Sequence, residues 1–237
     1  MKNKKKQSFL TVKNLTSTSA DLYIYGEIVN NTDWKWDESE VMPDDVLNTL
    51  NQVNNLSELN IYVNSPGGSV FAGLAIYNML IRNKARKIVH VDGVAASIAS
   101  IIALAGDEIH IPSNAFMMIH KPLVVTYGNA TELRKAADDL DVLEEGLMNV
   151  YTENLVEGIE AETIRDMLQN ETWLNGNEVA KYFNVTVTEA KNYAASAVDF
   201  LNRYEKTPKS LVKQEEQEEN ETLDKIKFQN ELTLLEL

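Results

Sequence analysis

The 237-residue chain has no cysteine. A disulfide framework, a thiolate-bound metal and a thiol nucleophile are all excluded, which suits a reducing compartment. Basic residues are outnumbered: 22 Lys and Arg stand against 36 Asp and Glu, a formal charge of −14. That balance repels a phosphate backbone, so nucleic acid is not an expected partner. No stretch reaches the roughly 18 consecutive apolar residues of a membrane span. Lys2, Lys4, Lys5 and Lys6 open the chain without the apolar segment that comes next in a secretory signal. The expectation is a cytoplasmic protein without membrane contact. Histidine is sparse, with three in the chain, which narrows any search for a general base.

What is present is a core. Hydrophobic residues make up 44% of the chain, enough for one sizeable domain. Residues 20–26 alternate apolar and polar side chains in the period of a half-buried strand, ending at the turn residue Gly26. A helix is expected from about Asp44 to Val53, after a loop over 31–40 that carries Trp34 and Trp36. Leu59 to Val63 reads as a strand that runs into Ser65-Pro66-Gly67-Gly68, and Val70 to Ile81 has helical apolar spacing, giving a βα unit. The unit recurs: strand Lys87 to Val91, a turn of small residues at Gly93 to Ala96, and an apolar helix from Ser97 to Ala105. Strands come next at 108–111 and 116–119. Asn129, with Glu132 three residues on, caps a long amphipathic helix reaching about Leu155. A short helix over 162–168, a strand-like 171–174, a capping box at Asn175 and Glu178 opening a helix to about Phe183, and a closing strand at 185–187 complete the pattern.

The expected organisation is a basic, flexible segment over 1–18, an α/β domain over 19–200 and an acidic, flexible tail over 201–237. The tail includes the run Gln214 to Glu219, too polar to order itself, and an apolar end from Leu223 to Leu237 that reads as a loose terminal helix.

Three stretches carry chemistry: Asn64-Ser65-Pro66-Gly67-Gly68, Gly93-Val94-Ala95-Ala96-Ser97 and Met117-Met118-Ile119-His120-Lys121-Pro122. Ser97 is placed where a tight turn meets the start of a buried helix. A serine there caps the helix or serves as a nucleophile beside amides that favour developing negative charge. The amides of Ile98 and Gly68 are the candidate oxyanion donors, although a Gly pair alone also makes an ordinary turn. His90 and His110 lie inside strands at outward-facing positions. That leaves His120, at the end of a strand, as the base. Glu171 is a candidate for orienting the imidazole, but many acids compete and spacing does not choose among them. The order, serine before histidine, differs from chymotrypsin, subtilisin and the α/β-hydrolases.

Over about Asp21 to Val187 these residues resemble the ClpP family of serine peptidases, whose Asn-Ser-Pro-Gly-Gly, Gly-x-Ala-Ala-Ser and Met-Ile-His-x-Pro segments occur here in the same order. The resemblance implies a ClpP/crotonase-like α/β spiral of βα units with a long handle-type helix. It makes Ser97 the nucleophile, His120 the base, the Gly68 and Ile98 amides the oxyanion hole, and Glu171 the third member in a position where the family usually has Asp. No cofactor or metal is implied. The handle helix implies a homo-oligomeric ring. Glu171-Thr172-Trp173 and Tyr23-Ile24-Tyr25-Gly26 look more like the ClpP-related head maturation proteases of tailed phages, which trim scaffold and capsid proteins. That relation implies a host cytoplasm or phage prohead setting. Asn170 and Thr172 flank Glu171 where the housekeeping enzyme has an Arg-Asp pairing, which argues against a two-ring tetradecamer. A housekeeping-type subunit fed by an unfoldase and a catalytically silent assembly protein are the competing readings. Crotonase relatives, which bind acyl-CoA and need no Ser-His pair, rank last.

Overall fold

A computed structural model describes residues 10–31, 40–53, 55–190, 201, 203–208 and 211. The lysine-rich start, the tryptophan-bearing loop, the 214–219 run and the apolar end of the tail lie outside the described residues. The order is β1 (Leu10–Lys13), β2 (Ser19–Tyr25), α1 (Pro43–Gln52), β3 (Glu58–Ser65), α2 (Val70–Arg82), β4 (Arg86–Ala96) and α3 (Ile98–Ala103). Then come β5 (Glu108–Pro112), β6 (Phe116–Ile119), α4 (Ala130–Glu153), α5 (Ala161–Gln169), β7 (Thr172–Asn175), α6 (Gly176–Val179) and β8 (Thr186–Thr188).

The strands form one sheet in the order β1-β2-β3-β4-β5-β8, from which β6 and then β7 branch at β4. All pairings are parallel except β1 with β2 and β6 with β7. This is the mixed α/β architecture that alternating strand and helix periods require. β1 lies within the segment read from sequence as a flexible start, and its residues pair with Asp21 to Ile24.

Alternation decides which face is buried. Leu22 and Ile24 of β2, Ile61 and Val63 of β3 and Val89 and Val91 of β4 are all 0% exposed, and they pack with α2 and α3 in one core. The opposite face carries a row of rings across β2, β3, β4 and β5. Tyr23 stacks on Tyr62 at 4.6 Å, Tyr62 on His90 at 4.8 Å and His90 on His110 at 5.2 Å between ring centroids. His90 and His110 thus take the outward sheet positions that their apolar flanks indicate.

The main departure from the sequence pattern is in β4. Gly93 to Ala96 is strand, not turn. Its first half pairs with β5 from Ile88 to His90, and its second half leaves β5 and pairs with β6 from Val94 to Ala96. A bulge makes the change: between the Val63–Val91 and Ser65–Ala95 pairs, β4 uses more residues than β3. The Asn64 side chain fills the gap, its Oδ1 accepting from the Val94 amide at 3.2 Å. A Cβ at position 93 would stand 2.9 Å from that same Oδ1 and would push the Asn64 side chain from its place in the bulge. A bulge of this kind bends a strand and re-aims the residues beyond it.

The helices begin where their caps dictate. Asn129 Oδ1 accepts from the amides of Thr131 and Glu132 while Glu132 answers the Asn129 amide, and Asn175 with Glu178 repeats the box at α6. α6 stops well short of Phe183, which is fully buried and bridges Leu155, drawing the chain off the helix axis. β8 closes the sheet beside β5 as expected.

α2 and α3 meet at Gly73. A Cβ there would fall 2.1 Å from Ile98 Cγ1, inside a core where Ile98 is 2% exposed. Overpacking costs about 1–3 kcal/mol, against a helix-propensity gain of about 1 kcal/mol. An approach as close as 2.1 Å belongs at the upper end of that cost, leaving about 1–2 kcal/mol net, so Gly73→Ala is expected to lower the thermal unfolding midpoint by roughly 2–8 °C. An unchanged or raised midpoint would contradict this close approach.

Candidate active site

Ser97 sits between β4 and α3 with φ 54° and ψ −128°, a left-handed backbone that is strained for a residue with a Cβ. Its amide donates to the Met118 carbonyl at 2.8 Å, extending the β4–β6 ladder by one residue. Its carbonyl accepts from Ser100 Oγ at 2.6 Å. With that proton committed, the buried Tyr151 hydroxyl of α4 donates to Ser100 Oγ at 2.7 Å. Burial pushes the Tyr151 phenol well above its ordinary value, which keeps it a donor. The strained turn is thus held from two sides.

The Ser97 side chain makes no capping bond to α3. Its Oγ lies 2.8 Å from His120 Nε2. The hydroxyl thus faces the imidazole rather than the end of the helix. Strand register explains the meeting: Ala96 lies beside Met118 in the parallel pair, so the residues leaving β4 and β6 emerge side by side.

Register also places Glu171. The antiparallel pair matches Ile119 with Thr172, and one further step sets His120 opposite Glu171. Glu171, with φ 45°, lies near enough for its charge to act on the ring. Its carboxylate, however, accepts from the backbone amides of Glu205 at 3.0 Å and Lys206 at 2.5 Å and from Trp173 Nε1 at 3.4 Å. Among the described residues it makes no hydrogen bond to His120.

Gly67 and Gly68 take φ values of 88° and 144°. A Cβ on Gly67 would meet Ala96 O at 2.6 Å and the Ile98 amide nitrogen at 3.2 Å; one on Gly68 would meet Ile28 O at 2.0 Å. Bare backbone is required for this turn to press against the start of α3. Among the described residues, neither the Gly68 nor the Ile98 amide donates to a protein acceptor outside the helices and strands.

A residue that composition alone assigns to the tail completes the surroundings. Tyr204 is 8% exposed, its ring stands edge-on to His120 at 5.2 Å between centroids, and its hydroxyl donates to the Pro66 carbonyl. Burial raises the Tyr204 phenol, while Arg203 and the Ser97 hydroxyl act in the opposite direction. Leu201, 1% exposed, joins Val94, Ala96 and Met118 in a second apolar cluster apart from the main core. The signal available in sequence is weak: two apolar residues three apart at the edge of a polar run. A cavity of about 100 Å³ remains over the pair, lined by Gly68, Ser97, His120, Leu123, Arg203 and Tyr204. Chemically, a hydroxyl bonded to an imidazole beside two unclaimed amides suits acyl transfer.

Burial lowers the His120 pKa from its ordinary 6.5, and the Glu171 carboxylate pulls the other way. The ring is therefore neutral at neutral pH, with a lone pair to accept a proton. By NMR, the His120 ring protons are expected to titrate below 6.5. In Glu171→Gln, which deletes the charge that favours imidazolium, the midpoint is expected to move lower still. A midpoint at or above the ordinary value in the unaltered chain would contradict this arrangement.

A model of the Clp protease family matches residues 12–185, a span that contains Gly68, Ser97, Ile98, His120 and Glu171. The chain is also similar to the ATP-dependent Clp protease proteolytic subunit of Ligilactobacillus salivarius (strain UCC118), with 33% identity over 128 residues. That match covers 53% of this chain and 64% of the relative, so the chain spans less than two thirds of that protein's length.

Proposed function

The chain belongs to the Clp protease family, and we propose that it is a serine endopeptidase whose nucleophile is Ser97 and whose general base is His120. The observation that carries this reading is the 2.8 Å contact between Ser97 Oγ and His120 Nε2, made by a hydroxyl that does not cap its helix. His120 takes the hydroxyl proton as Oγ attacks a peptide carbonyl. The tetrahedral oxyanion is held by the Gly68 and Ile98 amides. Collapse transfers the proton to the leaving amine and forms an acyl-enzyme, which water, deprotonated by the same ring, hydrolyses. Glu171 stabilises the imidazolium by its charge and orients the ring once its carboxylate is free to do so. No step calls for a cofactor.

The proposed substrates are scaffold and capsid proteins of a phage prohead, cleaved without ATP by a homo-oligomeric ring. Support comes from Glu171-Thr172-Trp173 and Tyr23-Ile24-Tyr25-Gly26, which resemble the head maturation proteases, while Asn170 and Thr172 beside Glu171 argue against the housekeeping two-ring assembly. A second reading, a subunit fed by an ATP-driven unfoldase, is favoured by the name of the Ligilactobacillus relative. The two separate on one comparison: cleavage of an unfolded protein that proceeds equally with and without ATP and an unfoldase supports the first, and strict dependence on both supports the second.

Ser97→Ala is expected to leave the thermal midpoint unchanged and to abolish labelling by a fluorophosphonate probe. Turnover of a fluorogenic peptide is expected to fall by at least about 10³-fold, with His120→Gln falling comparably. Retention of wild-type turnover by Ser97→Ala would refute the assignment. A folded wild-type chain that never labels would favour a silent assembly protein on the same fold.

A further inference from the structure

The cleft above Ser97 is narrowed by residues of the C-terminal part of the chain. Among residues 201 and 203–208, contacts fall on two groups that the proposed chemistry uses, His120 and Glu171, and on backbone and side chains around them. Tyr204 stands over His120, and its hydroxyl is bonded to the Pro66 carbonyl, next to the Gly67-Gly68 turn. The amides of Glu205 and Lys206 take both oxygens of Glu171, and Lys206 Nζ donates to the Asn170 carbonyl. Arg203 pairs with Glu27 at 2.7 Å, tying the segment to the residues just after β2.

The apolar half of the contact points the same way. Val94, Ala96 and Met118, at 4%, 0% and 0% exposure, are kept from water in a cluster with Leu201 and Tyr204 and separate from the main core. These three belong to the second half of β4 and to β6, the two strands that end at Ser97 and His120. The segment is thus anchored on apolar side chains of the two strands that lead to the reactive pair.

We propose that residues 201 and 203–208 act as a built-in substrate mimic that restrains the site, Tyr204 standing against His120 in space that a substrate would enter and the Glu205 and Lys206 amides engaging the Glu171 carboxylate. The proposal rests on the peptidase reading and adds to it a means of restraint. While the mimic is seated, Tyr204 takes the space a substrate side chain would use and Glu171 is engaged by the mimic's backbone. Its departure opens the apolar patch and releases the carboxylate that register places opposite His120.

The test uses the full chain and two independent substitutions, Tyr204→Ala and Leu201→Asp, with a fluorescein-labelled peptide of the sequence of residues 201–208. Each variant is expected to bind the peptide by fluorescence anisotropy, whereas the unaltered chain, whose site is filled in cis, does not. Each is also expected to hydrolyse a fluorogenic peptide bearing aliphatic and aromatic residues at least about ten-fold faster than the unaltered chain, the deficit of a site closed about nine-tenths of the time. The unlabelled 201–208 peptide should return that rate to the wild-type level by competition, and the same peptide with its tyrosine replaced by alanine should not. Failure of both folded variants to bind the peptide, or turnover at or below wild type in both, overturns the mimic. Peptide binding to the variants together with a complete lack of Ser97-dependent turnover in every form would leave the mimic standing and refute the peptidase reading.

Discussion

The parallel pairing of the second half of β4 with β6 is the constraint on which the site depends. Three residue pairs, Val94 to Ala96 against Phe116 to Met118, bring two chain ends together at one edge of the sheet. The Ser97 amide continues the ladder onto the Met118 carbonyl. Neither strand alone specifies anything about proton transfer. Side by side, they set a hydroxyl and a ring nitrogen at hydrogen-bonding distance without any help from a mobile loop.

That pairing exists because β4 abandons its first neighbour. The bulge opposite Asn64 turns the strand from β5 toward β6, and the Asn64 side chain supplies an acceptor that the interrupted ladder no longer provides. Close approaches crowd this half of the strand. Gly93 lies against the Asn64 side chain, and the Ala96 carbonyl lies where a side chain on Gly67 would have to go. The strain at Ser97 is tolerated because both ends of its backbone are pinned, the amide by β6 and the carbonyl by the Ser100–Tyr151 chain.

Much of this was legible in the residues. Apolar periodicity located the strands and helices of the core, and side-chain caps fixed the starts of α4 and α6 to within a residue. Ser97 and His120 were singled out by a short motif each and by the scarcity of histidine, and the structure brings their side chains within 2.8 Å. What could not be read were features decided by distant pairing. A run of small residues reads as a turn when considered locally, and only the presence of β6 makes Gly93 to Ala96 a strand. Glu171 was one acid among many, and it stands out only through the antiparallel register that continues past Ile119 and Thr172. Tyr204 was hidden for a related reason: it lies in a polar stretch whose two apolar residues gain meaning from a patch formed by β4 and β6, far away in sequence.

Between β6 and β7 the chain makes its longest excursion, through α4 and α5, before returning to pair with the strand it left. The first half of α4 is largely solvated, whereas Leu147, Met148, Val150 and Tyr151 near its end are buried. Length changes confined to that outer portion leave the ladder untouched, whereas a single residue gained or lost within β7 would reverse which side chains face the histidine. The outer part of α4 can therefore change in length without shifting the site within its own chain, whereas the β6–β7 pairing sets which residue stands opposite His120.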